Sequence, residues 1–432
     1  MRSTFLSPLL AIAALAFPVD ARTAEAHRPQ PAADSGAVQP GEGAAGAVRA
    51  RPRPDYDAVG LPLGSFRAWP KLALSTAYDS NILRSENNAT SDLIARIAPA
   101  MRLESDWPRH RLTLSTVAEI GLYARHESEN FADAEAAAAG TIDIQRDLRL
   151  EISAGLAHGH EERGSIDGDG GTEPVTHLRW AGAMALAGDR GRFGYQIGAD
   201  FARTDYRDVP AVGGGVLNQD DRDHQVLTGS AQLGYRAWRD GNLFLTGRVA
   251  RTDYDAARDD SGFNRDSRTQ TLVGGLEMDW NGITFGQIYG GWFSEQYDDA
   301  ALRNLSGFLA GAEVAANVTP LTTVTLRASR EALPTVTAGA SALVQTKASL
   351  GLDHELLRNL VVGANVQGRR LQFKGLDRSD DLWAAGIGAD WLLNRSMSLR
   401  LHYDFDMRDS QGTAAAEGWY RHVVGLRIVL ER

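Results

Sequence analysis

Fifteen ionisable side chains recur at alternate positions of segments whose other positions are apolar. They are Arg96, Arg102, Glu119, Arg248, Glu277, Asp279, Arg327, Lys347, Arg369, Asp390, Arg400, His402, Asp404, Asp406 and Arg427. Strand side chains alternate between two faces, so each of these segments has one charged face and one apolar face. A wall of mixed charge keeps a pore hydrated and sets its selectivity. It also offers weak, replaceable hydrogen bonds to a solute that must keep moving. The competing expectation is that these charges pair with one another across the wall.

Other clusters are weaker. His158 and His160 share a parity in H-G-H-E-E, which continues through Glu161 and Glu162. Two imidazoles on one face could begin a metal site, but no third ligand is evident. Asp167-Gly168-Asp169-Gly170 resembles part of a calcium loop without the remaining acids, and reads as a loop tip. His402 stands near Asp404 and Asp406, yet no G-x-S-x-G motif accompanies it. No glycine-rich phosphate loop appears in a strand–helix context. No catalytic residue, metal or cofactor is expected, and an enzyme is the minor reading.

The elements that must position these residues are strands. In Ser396–Asp409, Met397, Leu399, Leu401, Tyr403, Phe405 and Met407 fall on one parity, and Arg400, His402, Asp404 and Asp406 fall on the other. Similar alternation recurs from Ser65 onward, with weaker stretches at Phe66–Tyr78, Phe131–Gln145 and Val175–Ala187. Asp133–Gly140 is rich in alanine but reads as strand because the turn after Gln145 needs a partner. Connections alternate in length. Short ones include Trp107-Pro108-Arg109, Asp189-Arg190-Gly191, Arg239-Asp240-Gly241, Asn281-Gly282 and Asn394-Arg395. Long polar ones include Asp79–Ser91, Arg163–Glu173, Arg207–Asp221 and Asp255–Asp266. Asp-Gly and Asn-Gly suit primed hairpin turns. The expected fold is all-β: a transmembrane antiparallel β-barrel of about 18 strands, with short periplasmic turns and long extracellular loops.

The composition is compatible. The chain has 432 residues, a net charge of −10 and no cysteine. Acidity disfavours nucleic acid as a partner, and the absence of cysteine removes thiol nucleophiles, disulfides and a lipid-anchor cysteine. Mean hydropathy is −0.28, low for a helical membrane protein. A barrel tolerates this because only every second strand residue faces lipid. Met1–Ala21 reads as an export signal, with Arg2 ahead of a short apolar run at Leu6–Phe17. Residues 22–64 are rich in Pro, Ala, Gly and Arg and read as a flexible periplasmic lead. R-P-R-P at Arg51–Pro54 is read as linker rather than docking motif. Residues 65–432 form the barrel.

Trp280, Tyr289, Phe293, Trp383, Trp391, Tyr403, Trp419 and Tyr420 lie mostly toward segment ends. They are candidates for aromatic girdles at the membrane interfaces. In the last segment, Gly425, Ile428 and Leu430 resemble the terminal pattern used for barrel insertion, although Val423 and Glu431-Arg432 depart from it.

Several short stretches carry a family resemblance. They are R-P-R-P-D-Y-D-A-V-G-L-P-L at Arg51–Leu63, G-S-F at Gly64–Phe66 and Y-D-S-N-I-L at Tyr78–Leu83. R-L-E-S-D-W-P-R-H-R-L at Arg102–Leu112 and H-E-E-R-G-S at His160–Ser165 complete the set. Together they resemble the outer-membrane β-barrel family called type 2 putative porins, over roughly Arg51 to Arg432. The resemblance implies the outer membrane of a Gram-negative bacterium and a channel exporting an exopolysaccharide or capsular polymer. It implies as partners outer-membrane lipid and lipopolysaccharide, the barrel-assembly machinery, a periplasmic polysaccharide-export protein and the exported polymer. A general or substrate-specific diffusion porin and a surface structural or adhesion barrel are the alternatives.

Overall fold

The computed structural model describes residues 47–167, 170–280 and 282–432. The export signal expected at Met1–Ala21 and the first part of the expected lead lie outside the described residues.

Among the described residues, eighteen long strands follow one another as antiparallel neighbours. They are β1 (Phe66–Asp79), β2 (Asp92–Ser105), β3 (Arg111–Tyr123), β4 (Phe131–Gln145), β5 (Leu148–His160) and β6 (Thr176–Arg190). Next come β7 (Phe193–Tyr206), β8 (His224–Trp238), β9 (Gly241–Tyr254), β10 (Ser267–Trp280), β11 (Thr284–Tyr297) and β12 (Leu305–Thr319). The last six are β13 (Thr322–Leu333), β14 (Ala342–Leu357), β15 (Leu360–Lys374), β16 (Ser379–Asn394), β17 (Met397–Gln411) and β18 (Trp419–Glu431). The final strand returns to the first, with Leu72 opposite Leu430 and Tyr78 opposite Val424. The sheet is therefore closed, and among the described residues no long strand is left with an unpaired edge. The expected strand at Asp133–Gly140 is present within β4, held between Ser115 opposite Ala137 and Ala137 opposite Gly155.

Parity decides which way each side chain points. In β17, Leu401 is 56% exposed while Arg400 on the other parity is 7% exposed. Leu93, Ile97, Met184, Ile197, Leu233, Trp292 and Ile387 repeat the exposed apolar pattern around the barrel. This is the arrangement of a lipid-facing exterior and a polar, concave interior.

The short turns gather at one end. Gly191 and Gly282 take φ values of 66° and 67°, as tight hairpins require. The expected turn at Asp240-Gly241 differs, because Gly241 begins β9 and has no positive φ. Its missing side chain instead makes room for the Trp238 ring.

The girdle expectation needs correction at three residues. Trp280, Trp383, Trp391, Tyr403 and Tyr420 are exposed on the outer face. Tyr289 and Phe293 share the inward parity, opposite to exposed Ile288 and Trp292, and Phe293 and Trp419 are buried. Trp419 lies inside against Arg84. β11 is apolar on both parities, so alternation alone could not orient it.

Candidate functional site: the lumen and its two mouths

The fifteen alternating ionisable residues all fall on the parity opposite the exposed apolar side chains. Many meet a partner on the same face. Arg96 lies 3.5 Å from Glu119, Arg327 2.7 Å from Glu313 and Arg400 3.2 Å from Asp390. Arg102 pairs with Glu104 at 2.9 Å and covers the Trp69 ring. Asn242 donates to Glu277 at 3.2 Å, and Asp279 accepts the Gly282 amide at 2.8 Å near the short turn. Arg248 stands between Ser230 and Thr271 on the inner face, and Arg369 between Lys347 and Leu382. Lys347 lies between Gln345 and Ser349 on the inner parity of β14. Arg400 stands opposite Arg427 in the β17–β18 ladder, and Asp404 lies 3.9 Å from His402. Pairing therefore neutralises much of the wall where it is most crowded, which limits its strength as a fixed ion-binding site.

The long-loop mouth is crossed by its own loops. The segment after β5 starts on one side and reaches the opposite wall. Glu161 receives both Nη atoms of Arg222, from the loop between β7 and β8. Glu162 pairs with Arg84, from the loop after β1, and lies 3.7 Å from Arg421 of β18. Arg163 forks onto Glu129 at 2.6 and 2.8 Å. The Gly164 carbonyl accepts from Arg408 of β17 at 3.4 Å. Ile166 packs on a cluster of Ala340, from the loop between β13 and β14, with Leu343, Leu371 and Phe373 of the far wall. Asp167 accepts from the hydroxyls of Thr335 and Thr337 at 2.8 and 2.9 Å.

A second hub reinforces this crossing. Buried Arg265, between β9 and β10, pairs with Asp259 at 2.5 Å. It donates to the carbonyls of Thr335 at 2.6 Å and Ala340 at 3.1 Å. Each hub is an arginine because one planar guanidinium can serve several acceptors at fixed angles. Close by, burial pushes the Asp223 carboxyl up to about 6. The Tyr206 amide donates to it and pulls the other way, while Asp205, Asp220 and Asp255 push it further up.

H-G-H-E-E is absorbed into this network. His160 contacts Asp133 at 3.0 Å and stacks on Phe131 at 4.1 Å between centroids. Glu161 and Glu162 hold arginines. Among the described residues, no cluster of three or more His, Cys, Asp or Glu side chains is arranged to hold a metal.

The short-turn mouth has a strap of its own. Val48 is buried, and its amide donates to Thr323 Oγ1 at 2.9 Å. Arg49 contacts Asp353 at 2.5 Å and Asp390 at 2.7 Å. Arg51 and Arg53 both reach Glu355, at 3.3 and 3.2 Å. Arg395 donates to the Pro54 carbonyl at 2.8 Å. The described part of the lead is therefore tied to the inner wall. In its R-P-R-P, turns at 47–51 and 53–57 bracket the two arginines, which converge on the one buried acid Glu355. Periodicity missed the strap and the hubs. The available signals were the arginines alternating with proline and the H-E-E-R-G-S run at His160–Ser165.

A family model described as Putative beta-barrel porin 2 matches residues 53–432, and the chain belongs to that family. No curated protein matches the chain. Among solved structures, the outer membrane protein opdK from Pseudomonas aeruginosa is 12% identical, covering 84% of this chain and 99% of that one, with a TM-score of 0.44. OccK2 (OpdF) from the same organism is 11% identical, covering 85% and 98%, at 0.47. The siderophore receptor PiuA from Acinetobacter baumannii is 10% identical, covering 86% and 82%, at 0.48. The barrel is established by its closed ladder of strand pairs, independently of these likenesses. The chain is a β-barrel of porin type.

Proposed function

We propose that this barrel is the outer-membrane passage for an exported extracellular polysaccharide, opened by its cargo or by a periplasmic partner. The observation that carries the reading is the crossed mouth. Loop residues 161–167 are tied to the rim by ion pairs and hydrogen bonds on several sides. None of those ties is covalent, so the crossing is removable. While in place, such a cover hinders continuous small-solute uptake. A channel wide enough for a polymer needs one, because an unguarded lumen would leak. The pre-paired wall suits the same role, since a polymer must slide and tight binding at any point would stop it. The strap lies where a periplasmic polysaccharide-export protein would meet the barrel. Outer-leaflet lipopolysaccharide would surround the outer face, and the barrel-assembly machinery would insert it.

Deleting the gene and measuring secreted polymer tests this. Loss of secreted polymer, restored by the intact gene, is the expected result. Unchanged secretion with altered uptake of small solutes would overturn the proposal in favour of a diffusion porin. Attachment lost on loop deletion, with secretion and conductance intact, would assign the loops an adhesive role instead.

A further inference from the structure

The inner face of β11 carries Phe285, Gln287, Tyr289, Gly291, Phe293, Glu295 and Tyr297. Its aromatic residues recur every fourth position, roughly 13 Å apart along one strand. They run from the short-turn end toward the crossed mouth. Apolar residues on both parities hid this face from the sequence pattern.

Glycines determine how the rings lie. One row across the wall reads Phe244, Gly275, Tyr289 and Gly311 on β9 to β12. A side-chain carbon added at Gly275 would collide with the Phe244 ring, and one added at Gly311 would collide with the Tyr289 ring. Phe293 likewise lies against the missing side chain of Gly307, 3.2 Å from an added carbon. The rings thus lean the same way around the barrel and lie along the wall. In that posture a ring keeps the lumen clear and turns a face toward whatever passes. Phe244, Phe285 and Tyr289 are partly exposed. Higher up, Phe293 is buried, and the Tyr297 hydroxyl donates to the Ser341 carbonyl of the loop between β13 and β14 at 2.7 Å.

We propose that Phe244 and the β11 aromatics form a stacking track for sugar rings, whose upper part is uncovered when the mouth opens. A pyranose presents C–H groups on its faces and hydroxyls at its rim. Flat aromatic rings take the faces, while Gln287 and Glu295, alternating with them, offer partners to the hydroxyls. Stacking ignores the detail of hydroxyl positions, so the track takes carbohydrate as a class. Spacing makes it favour oligomers, because a chain can engage a second ring without paying again for association. The inference deepens the export reading and rests on it only for a carbohydrate cargo.

The test uses the purified full barrel in detergent and saturation-transfer NMR, irradiating aromatic protons. The probes are cellohexaose and glucose, with polyethylene glycol of similar size as a non-carbohydrate control. Transfer to cellohexaose should exceed transfer to glucose and to the glycol. A variant carrying Phe244→Leu and Tyr289→Leu keeps apolar bulk on the wall and should reduce cellohexaose affinity by about tenfold or more. Unheated gel mobility and circular dichroism verify that the variant is folded. Equal transfer in parent and folded variant, or equal transfer to sugar and glycol, would overturn the track. Loss of transfer in the variant would support it even if gene deletion left polymer secretion intact; that outcome would reject export while retaining a sugar-binding channel.

Discussion

Replacing Arg265 with Met should open the long-loop mouth without unfolding the barrel. Arg265 is 3% exposed and its Asp259 partner is 7% exposed. Removing the guanidinium leaves Asp259 as a buried carboxylate without its counter-ion, and strips donors from the Thr335 and Ala340 carbonyls. Breaking a buried pair from one side costs about 3–5 kcal/mol. That cost falls on loop packing, because every strand retains its ladder partners. At 1.4 kcal/mol per factor of ten, the closed-to-open ratio should fall by at least about 100-fold. Single-channel recording of purified barrel in planar bilayers reads this as a rise in open probability. The double variant Arg265→Met, Asp259→Leu removes the orphaned charge and should return most of the way toward the parent, since removing both partners is far cheaper than removing one. Parent-like conductance in the single variant would refute the closure argument. So would an equal opening in single and double variants, because the buried charge would then be irrelevant.

Three further outcomes are expected. Glu355→Gln weakens the hold on Arg51 and Arg53, so hydrogen exchange at residues 47–57 should speed by about tenfold with the strands unchanged; unaltered exchange would reject the strap. Leu401→Arg places a charge in lipid at a cost of about 2–4 kcal/mol, and should reduce the folded, heat-resistant gel band far more than Arg400→Leu; equal effects would contradict the assigned faces. Asp223 favours its neutral form in the folded mouth, since burial raises it from 3.8 to about 6. Its contribution to mouth stability is therefore lost as pH climbs between those values. Asp223→Asn should flatten that part of the pH dependence of proteolytic nicking in loop 207–223, and an unchanged slope would exclude Asp223 as its source.

The wall was legible in sequence and the mouths were not, for a physical reason. A strand residue takes its direction from a period of two, so Leu401 and Arg400 are assigned by local pattern alone. Where both parities are apolar, as at Ile288, Tyr289, Trp292 and Phe293, the period carries no information and only the closed barrel settles direction. Loops have no period. Asp167 meets Thr335 across 168 positions of chain, and curvature of the whole sheet brings the two together. The strap failed to register for a related reason. A short proline–arginine stretch matches a linker in composition, and its buried acids belong to strands some 300 residues away.

The mouths exploit one property of the composition. The chain has 45 lysines and arginines, of which only Lys71, Lys347 and Lys374 are lysines, leaving 45 − 3 = 42 arginines. General surface charge would be served by either residue. The hubs would not, because they demand several donors at fixed angles. Arg222 places two Nη atoms on Glu161, reaches Gln219 Oε1 at 2.6 Å and lies 3.9 Å over the Tyr206 ring. A lysine keeps the charge but offers one small, strongly hydrated ammonium, which cannot span those acceptors or stack on a ring. Arg222→Lys should therefore resemble Arg222→Met in open probability far more than it resembles the parent. If Arg222→Lys instead conducts like the parent, net charge alone holds the mouth, and the geometric account of the arginine hubs fails.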